Sequence, residues 1–122
     1  MRVLVFGSKD WTDYNEVIRQ LTVVIDDRKH FYPDDNECVF VHRGIKGAEN
    51  MVTEYIGKTE KYLRQKGYKI KEELIRDKST NADYYIIEQG ADFALVFGDS
   101  IRTKSCLKLI EALEMPHRYI KE

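Results

Sequence analysis

The chain has 122 residues, with 20 Lys and Arg against 21 Asp and Glu and a net charge of −1. That length supports one hydrophobic core and hence one domain over residues 1–122, and the even charge balance excludes a surface coated with cations for nucleic acid. No stretch approaches the roughly 18 apolar residues of a membrane span, and the opening Arg2-Val3-Leu4-Val5-Phe6 is too soon interrupted for a secretory signal, so a cytoplasmic protein with no membrane contact is expected.

Residues 2–6 form a short apolar run closed by Gly7, the pattern of a buried strand. Asp13 with Glu16 three residues on predicts a helix N-cap and its reciprocal partner, and Val17, Ile18, Leu21, Val24 and Ile25 mark the apolar face of that helix. The polar breaker Tyr32-Pro33-Asp34-Asp35-Asn36 ends it. Residues 38–42 are a second strand. From Gly47 a long helix carries Ala48, Met51, Val52, Tyr55, Ile56, Tyr62 and Leu63 on one stripe, and Gly67 stops it. A charged strand over 69–75 follows, then a helix through Ala82, Tyr85, Ile86 and Gln89 that ends at Gly90. Phe93–Phe97 is a strongly apolar strand followed by Gly98. Cys106, Leu109, Ile110 and Leu113 define a fourth helix before Pro116, and 117–121 make a last strand.

Strands alternating with helices imply a parallel sheet covered on both faces, because parallel pairs need crossovers. The first, second and fourth strands are the most apolar and belong in the middle, while the charged third and fifth suit the edges. A three-layer Rossmann-like α/β fold with sheet order 3-2-1-4-5 meets both conditions and puts the topological switch point between strands one and four.

Ligands of such sheets sit beyond the carboxyl ends of the strands at that point. Three loops meet there: Gly7-Ser8-Lys9-Asp10-Trp11, Arg43-Gly44-Ile45-Lys46-Gly47-Ala48, and Gly98-Asp99-Ser100-Ile101-Arg102-Thr103-Lys104-Ser105. Each joins glycine to a hydroxyl or a cation and leads toward a helix start, where unpaired amides and a partial positive charge suit phosphate. Lys9, Arg43, Lys46, Arg102 and Lys104 add cations, and three loops of the same chemistry at one place favour ligand binding over plain turns. Trp11 has two readings, a stacking platform for a base or an apolar staple onto the first helix. His42, at a strand end, reads as an acid–base group or as packing. Gly57-Lys58-Thr59 mimics the end of a P-loop but lies inside a helix, with Val52 where the first glycine belongs. The series Tyr55, Tyr62, Tyr84, Tyr85 reads as core packing. Cys38 and Cys106 read as reduced core thiols, and His30, His42 and His117 show no metal-ligand spacing, so neither a metal nor a cofactor is expected.

At these loops the sequence resembles the YspA/YpsA-related branch of the SLOG superfamily. RVLVFGSKDWTD is similar to its opening strand, small residues, basic residue, Asp and aromatic; HRGIKGAENM to its glycine-any-any-glycine-alanine-acid signature; Asn81 in KSTNADYY to the Asn of its Arg-Asn pair; and ADFALVFGDSIRT to its fourth strand and glycine-threonine loop. The resemblance runs nearly the whole chain in order. It implies a Rossmann-like domain of bacteria or their phages that binds nucleotides or nucleotide-derived signals through Gly7, Ser8, Lys9, Asp10, Gly44, Gly47, Ala48, Glu49, Asn81, Gly98 and Thr103. Relatives include cytokinin-activating phosphoribohydrolases, DNA-uptake single-strand-binding proteins and sensors of conflict systems. The hydrolases carry a PGGxGTxxE loop; here the stretch reads GDSIRTKSC, where Asp99 and Ile101 interrupt the glycines and Cys106 replaces the glutamate. Glu49 stands for the usual Asp, and Thr80 for the Arg before Asn81. These departures spare phosphate binding and weigh against hydrolysis.

Three functions follow in order of expectation. The first is a sensor, carrier or sequestering protein for a nucleotide-type small molecule, with Arg102 and Lys46 on phosphate and Asp10 or Glu49 on ribose. The second is hydrolysis of a nucleoside monophosphate at its N-glycosidic bond, for which Asp10, Glu49 and Asp99 are the plausible carboxylates by position and Asp10 and Glu49 the expected catalytic pair. The third, not favoured by the net charge, is single-stranded nucleic-acid binding. The long apolar stripe of the second helix, and the association of relatives, also raise a homodimer.

Overall fold

The computed structural model describes all residues from 1 to 122. Five strands alternate with four helices: β1 (Arg2–Gly7), α1 (Tyr14–Phe31), β2 (Cys38–His42), α2 (Ala48–Gln65), β3 (Ile70–Leu74), α3 (Ala82–Glu88), β4 (Phe93–Phe97), α4 (Ile101–Ala112) and β5 (His117–Ile120). Every pairing is parallel and the sheet order is β3-β2-β1-β4-β5, as the strand compositions predict. The edge strand β3 alternates buried and exposed residues, whereas β1 and β4 are almost wholly covered. No helix is long and apolar enough to cross a membrane.

The period of two in the central strands sorts their side chains into two cores. Val3, Val5, Phe40, Leu95 and Phe97 pack under α1 and α2 with Leu21, Val24, Val52 and Ile56. Leu4, Phe6, Val41, Ala94 and Val96 pack under α3 and α4 with Ile86, Ile87, Cys106 and Ile110. Each fully buried Phe contributes about 1.5–3 kcal/mol relative to an exposed one, so the middle of the sheet is the rigid platform on which the loops stand. Cys38 and Cys106 are free and buried. Of the tyrosines expected in the core, only Tyr55 is buried; Tyr62, Tyr84 and Tyr85 are about half exposed, because their helical positions fall beside the buried stripe. The apolar stripe of α2 packs on the sheet and α1 through Val52, Tyr55 and Ile56.

Helix starts follow the cap chemistry with one exchange. Asp13 accepts from the Glu16 amide, but the Glu16 carboxylate turns to Arg19 and Gln20, so only half of the expected reciprocal pair forms. The complete capping box lies at α4, where Ser100 and Thr103 satisfy each other's amides.

Candidate functional site

Three loops at the carboxyl ends of β1, β2 and β4 close on one another, and glycine makes the closeness feasible. Gly47 has φ +105°, and a side chain there would meet the Ser8 carbonyl oxygen at 2.3 Å. Gly98 has φ +96°, and a side chain would meet Ser8 Oγ at 2.3 Å. Ser8 is therefore the hub of the convergence: its amide donates to the Phe97 carbonyl at 2.8 Å and its Oγ accepts from the Ser100 amide at 3.2 Å. Gly7 brings the first turn of α2 onto β1, with Ala48 directly above it.

The convergence leaves a cleft of about 470 Å³ lined by Gly7, Lys9, Ile45, Ser100, Ile101 and Arg102. A second cleft of about 530 Å³ shares Lys9 and adds Asp10, Lys46, Gly47 and Asn50. Ile101 and Arg102, the first two residues of α4, have amides with no acceptor inside the helix and stand at the first cleft. Lys9, Asp10 and Lys46 are exposed. Asp99 is also exposed and takes a hydrogen bond from the Tyr119 hydroxyl, which with Lys104 holds its carboxyl below the usual range.

Beneath the clefts lies a charge network that engages two of the expected ligand residues, Glu49 and Arg102. Glu49 is fully buried and accepts from the Gly7 amide at 3.2 Å, the Arg43 amide at 2.8 Å and Arg102 Nη1 at 2.6 Å. It ties all three loops together, and both of its oxygens are engaged by these three donors. Arg102 is spent in the same way. Its guanidinium clasps Asp83 through Nε at 2.7 Å and Nη2 at 3.0 Å, and Nη1 also donates to the Gly7 carbonyl at 3.1 Å. Burial opposes its charge, but the hydrogen bond to Asp83 and the field of Glu49 win and raise its pKa. Burial likewise opposes the charge of Asp83, yet the Arg102 hydrogen bond and the two arginines hold its carboxyl below the ordinary value. Arg43 completes the set, reaching Asp83 at 3.3 Å and the Asp77 carbonyl at 2.8 Å. Arg102 and Arg43 are thus paired with carboxylates or a carbonyl, whereas Lys9 and Lys46 line the clefts with no salt-bridge partner.

Trp11 is buried, donates Nε1–H to the Asp13 carbonyl at 2.9 Å and meets Phe97 edge-on at 5.3 Å between ring centres. It lines the second cleft with only 3% of its surface exposed. His42 is buried, its Nδ1 accepts from the Gly44 amide at 2.9 Å, and Nε2 donates to Glu72 at 2.7 Å. Thr53 also donates to Glu72, at 2.6 Å. Gly44 sits toward Leu74, Thr103 is buried in the capping box, and Asn81 is an exposed N-cap of α3 outside both clefts. The residues that sequence reading missed are Asp83, whose partners lie 40 and 19 positions away, and Ile45 and Ile101 on the cleft walls. Nothing local marks Asp83, whereas an isoleucine at the first turn of a helix, outside its apolar stripe, is a readable anomaly.

Comparison of the chain with protein-family models, with curated proteins and with solved structures finds no match.

Proposed function

We propose that the paired clefts bind a small phosphate-bearing nucleotide or nucleotide derivative, and that the protein acts as a sensor, carrier or sequestering protein for it. The observation that carries this reading is the convergence of three glycine-bearing loops on a cleft that opens at the switch point of the sheet and is bordered by Lys9 and the first amides of α4. A phosphate there meets the positive end of a helix dipole and a mobile cation together. The charge network supports the same reading, because Glu49, Arg102 and Asp83 neutralise one another and hold the loops ready, so little ordering remains for the ligand to impose. The similarity to the SLOG motifs points the same way.

Binding without turnover is favoured over N-glycosidic hydrolysis. With Glu49 buried and committed, Asp10 is the one expected catalytic carboxylate left at the clefts, and general acid–base cleavage needs a positioned group. Asp10 is exposed and free to swing.

A thermal-shift screen against nucleoside mono-, di- and cyclic phosphates and ADP-ribose-type compounds tests the proposal, with chromatography of every stabilising mixture. The expected result is saturable stabilisation by at least one compound and its unchanged recovery. Release of free base, abolished in Asp10→Asn, would replace binding with hydrolysis. Stabilisation by none would end the proposal.

A further inference from the structure

We infer that Ile45 and Ile101 form an aliphatic clamp that takes the planar ring of the ligand between them, so that this cleft reads a flat heterocycle as well as a phosphate. The inference rests on the phosphate-ligand reading above and adds which further part of the ligand is recognised, and by what.

A base needs an apolar face, and the aromatic candidates do not supply one here. Trp11 is packed edge-on to Phe97 with its N–H used, and Tyr84 and Tyr85 lie along α3, outside the cleft. Ile101 is the most exposed large hydrophobic residue of the chain, at 88%. It occupies the first position of α4, where β-branching gives the helix no advantage and polar side chains serve equally well. The fold gains nothing from it, yet it stands on the cleft wall.

Ile45 supplies the second wall. It comes from the loop after β2 and Ile101 from the loop after β4, and β1 lies between those strands. The two residues therefore reach one cleft from the loops on either side of β1, and Gly7, at the end of β1, lines it with them. Lys9 and the α4 amides stand at the same cleft, within reach of a phosphate joined to the ring through one sugar. A flat ring covers both walls; ribose alone, or inorganic phosphate, covers neither. Partial burial of two isoleucines corresponds to about a tenfold gain in affinity.

Calorimetric titrations of the four nucleoside 5′-monophosphates, ribose 5-phosphate and inorganic phosphate read the clamp directly. At least one nucleotide should bind about tenfold tighter than ribose 5-phosphate. Ile45→Ala and Ile101→Ala should each weaken the nucleotide about threefold, and the double variant about tenfold, while the sugar phosphate's affinity stays as it was. In methyl NMR of the unmodified protein, the ring should shift the Ile45 and Ile101 methyls and spare Ile87, which lines a separate groove between α3 and α4. Equal affinity for the nucleotides and ribose 5-phosphate, or movement of Ile87 with Ile45 and Ile101 still, would overturn the clamp while leaving phosphate binding intact. Binding of no phosphate compound at all would remove both.

Discussion

Replacing Glu49 by glutamine removes a charge and almost no volume, at a position with no solvent exposure. Three donors converge on its carboxylate, two backbone amides and Arg102 Nη1. Glutamine offers one acceptor oxygen and an NH2 group, so at least one of those donors must face another donor, and an unmet buried donor costs about 1–3 kcal/mol. Arg102 also loses one of its two carboxylate partners. Breaking a buried ion pair costs about 3–5 kcal/mol, but Asp83 remains and the Arg102 side chain is 23% exposed, which discounts that cost. The total falls near 2–3 kcal/mol, by the lower end of these ranges. At about 2.1 cal/mol/K per residue, the unfolding entropy of 122 residues is about 0.26 kcal/mol/K, so Tm should drop by about 8–12 °C. Circular-dichroism melts of the parent and Glu49→Gln provide the assay. Coincident melting curves would refute the reasoning that this carboxylate is the tie between the three loops.

Three further outcomes follow from the same structure. Asp83 titrates below its ordinary value in the folded protein, so its contribution to stability is full above the unfolded carboxyl value near pH 4 and is lost as pH falls through the lower folded value; urea melts between pH 7 and 3 should show an acid loss that is reduced in Asp83→Asn, and identical pH profiles would contradict the ion-pair account. Gly47→Ala places a side chain on the Ser8 carbonyl at positive φ and should cost about 1–3 kcal/mol or more in urea unfolding, a cost whose absence would show that the loops are not packed as described. Burial pushes the Cys38 thiol up to about 11 and the Cys106 thiol up to about 12, so an aromatic disulfide reagent at pH 8 should label neither until the protein is unfolded, and fast labelling of the native protein would show one of them to be accessible.

The sheet order was legible because burial on two faces and burial on one leave different marks in composition. Val3–Phe6 and Phe93–Phe97 are continuously apolar, whereas Ile70–Leu74 interleaves Lys and Glu, and that contrast alone separates centre from edge. The meeting of the three loops follows from that order, since β1 stands between β2 and β4. What the side chains do there was less legible. A guanidinium beside a glycine loop looks the same in sequence whether it waits for phosphate or is held by carboxylates, and the carboxylate that takes two hydrogen bonds from Arg102, Asp83, arrives from another helix. The same blindness to long-range partners hid the fate of Glu49, 53 positions from Arg102. The partners of the Trp11 and His42 ring nitrogens, Asp13 and Gly44, could not be chosen from the sequence alone.

Lys9 and Lys46 border the clefts and are exposed, so reversing both charges in Lys9→Glu/Lys46→Glu should leave the fold unchanged and act on ligand alone. Calorimetric titration of the best stabilising nucleotide into parent and variant at low and moderate salt is the most direct test of the proposed phosphate site. Affinity should weaken with salt in the parent and collapse in the variant, whose melting curve stays that of the parent. Equal affinity in the two proteins would place the ligand elsewhere and contradict the account.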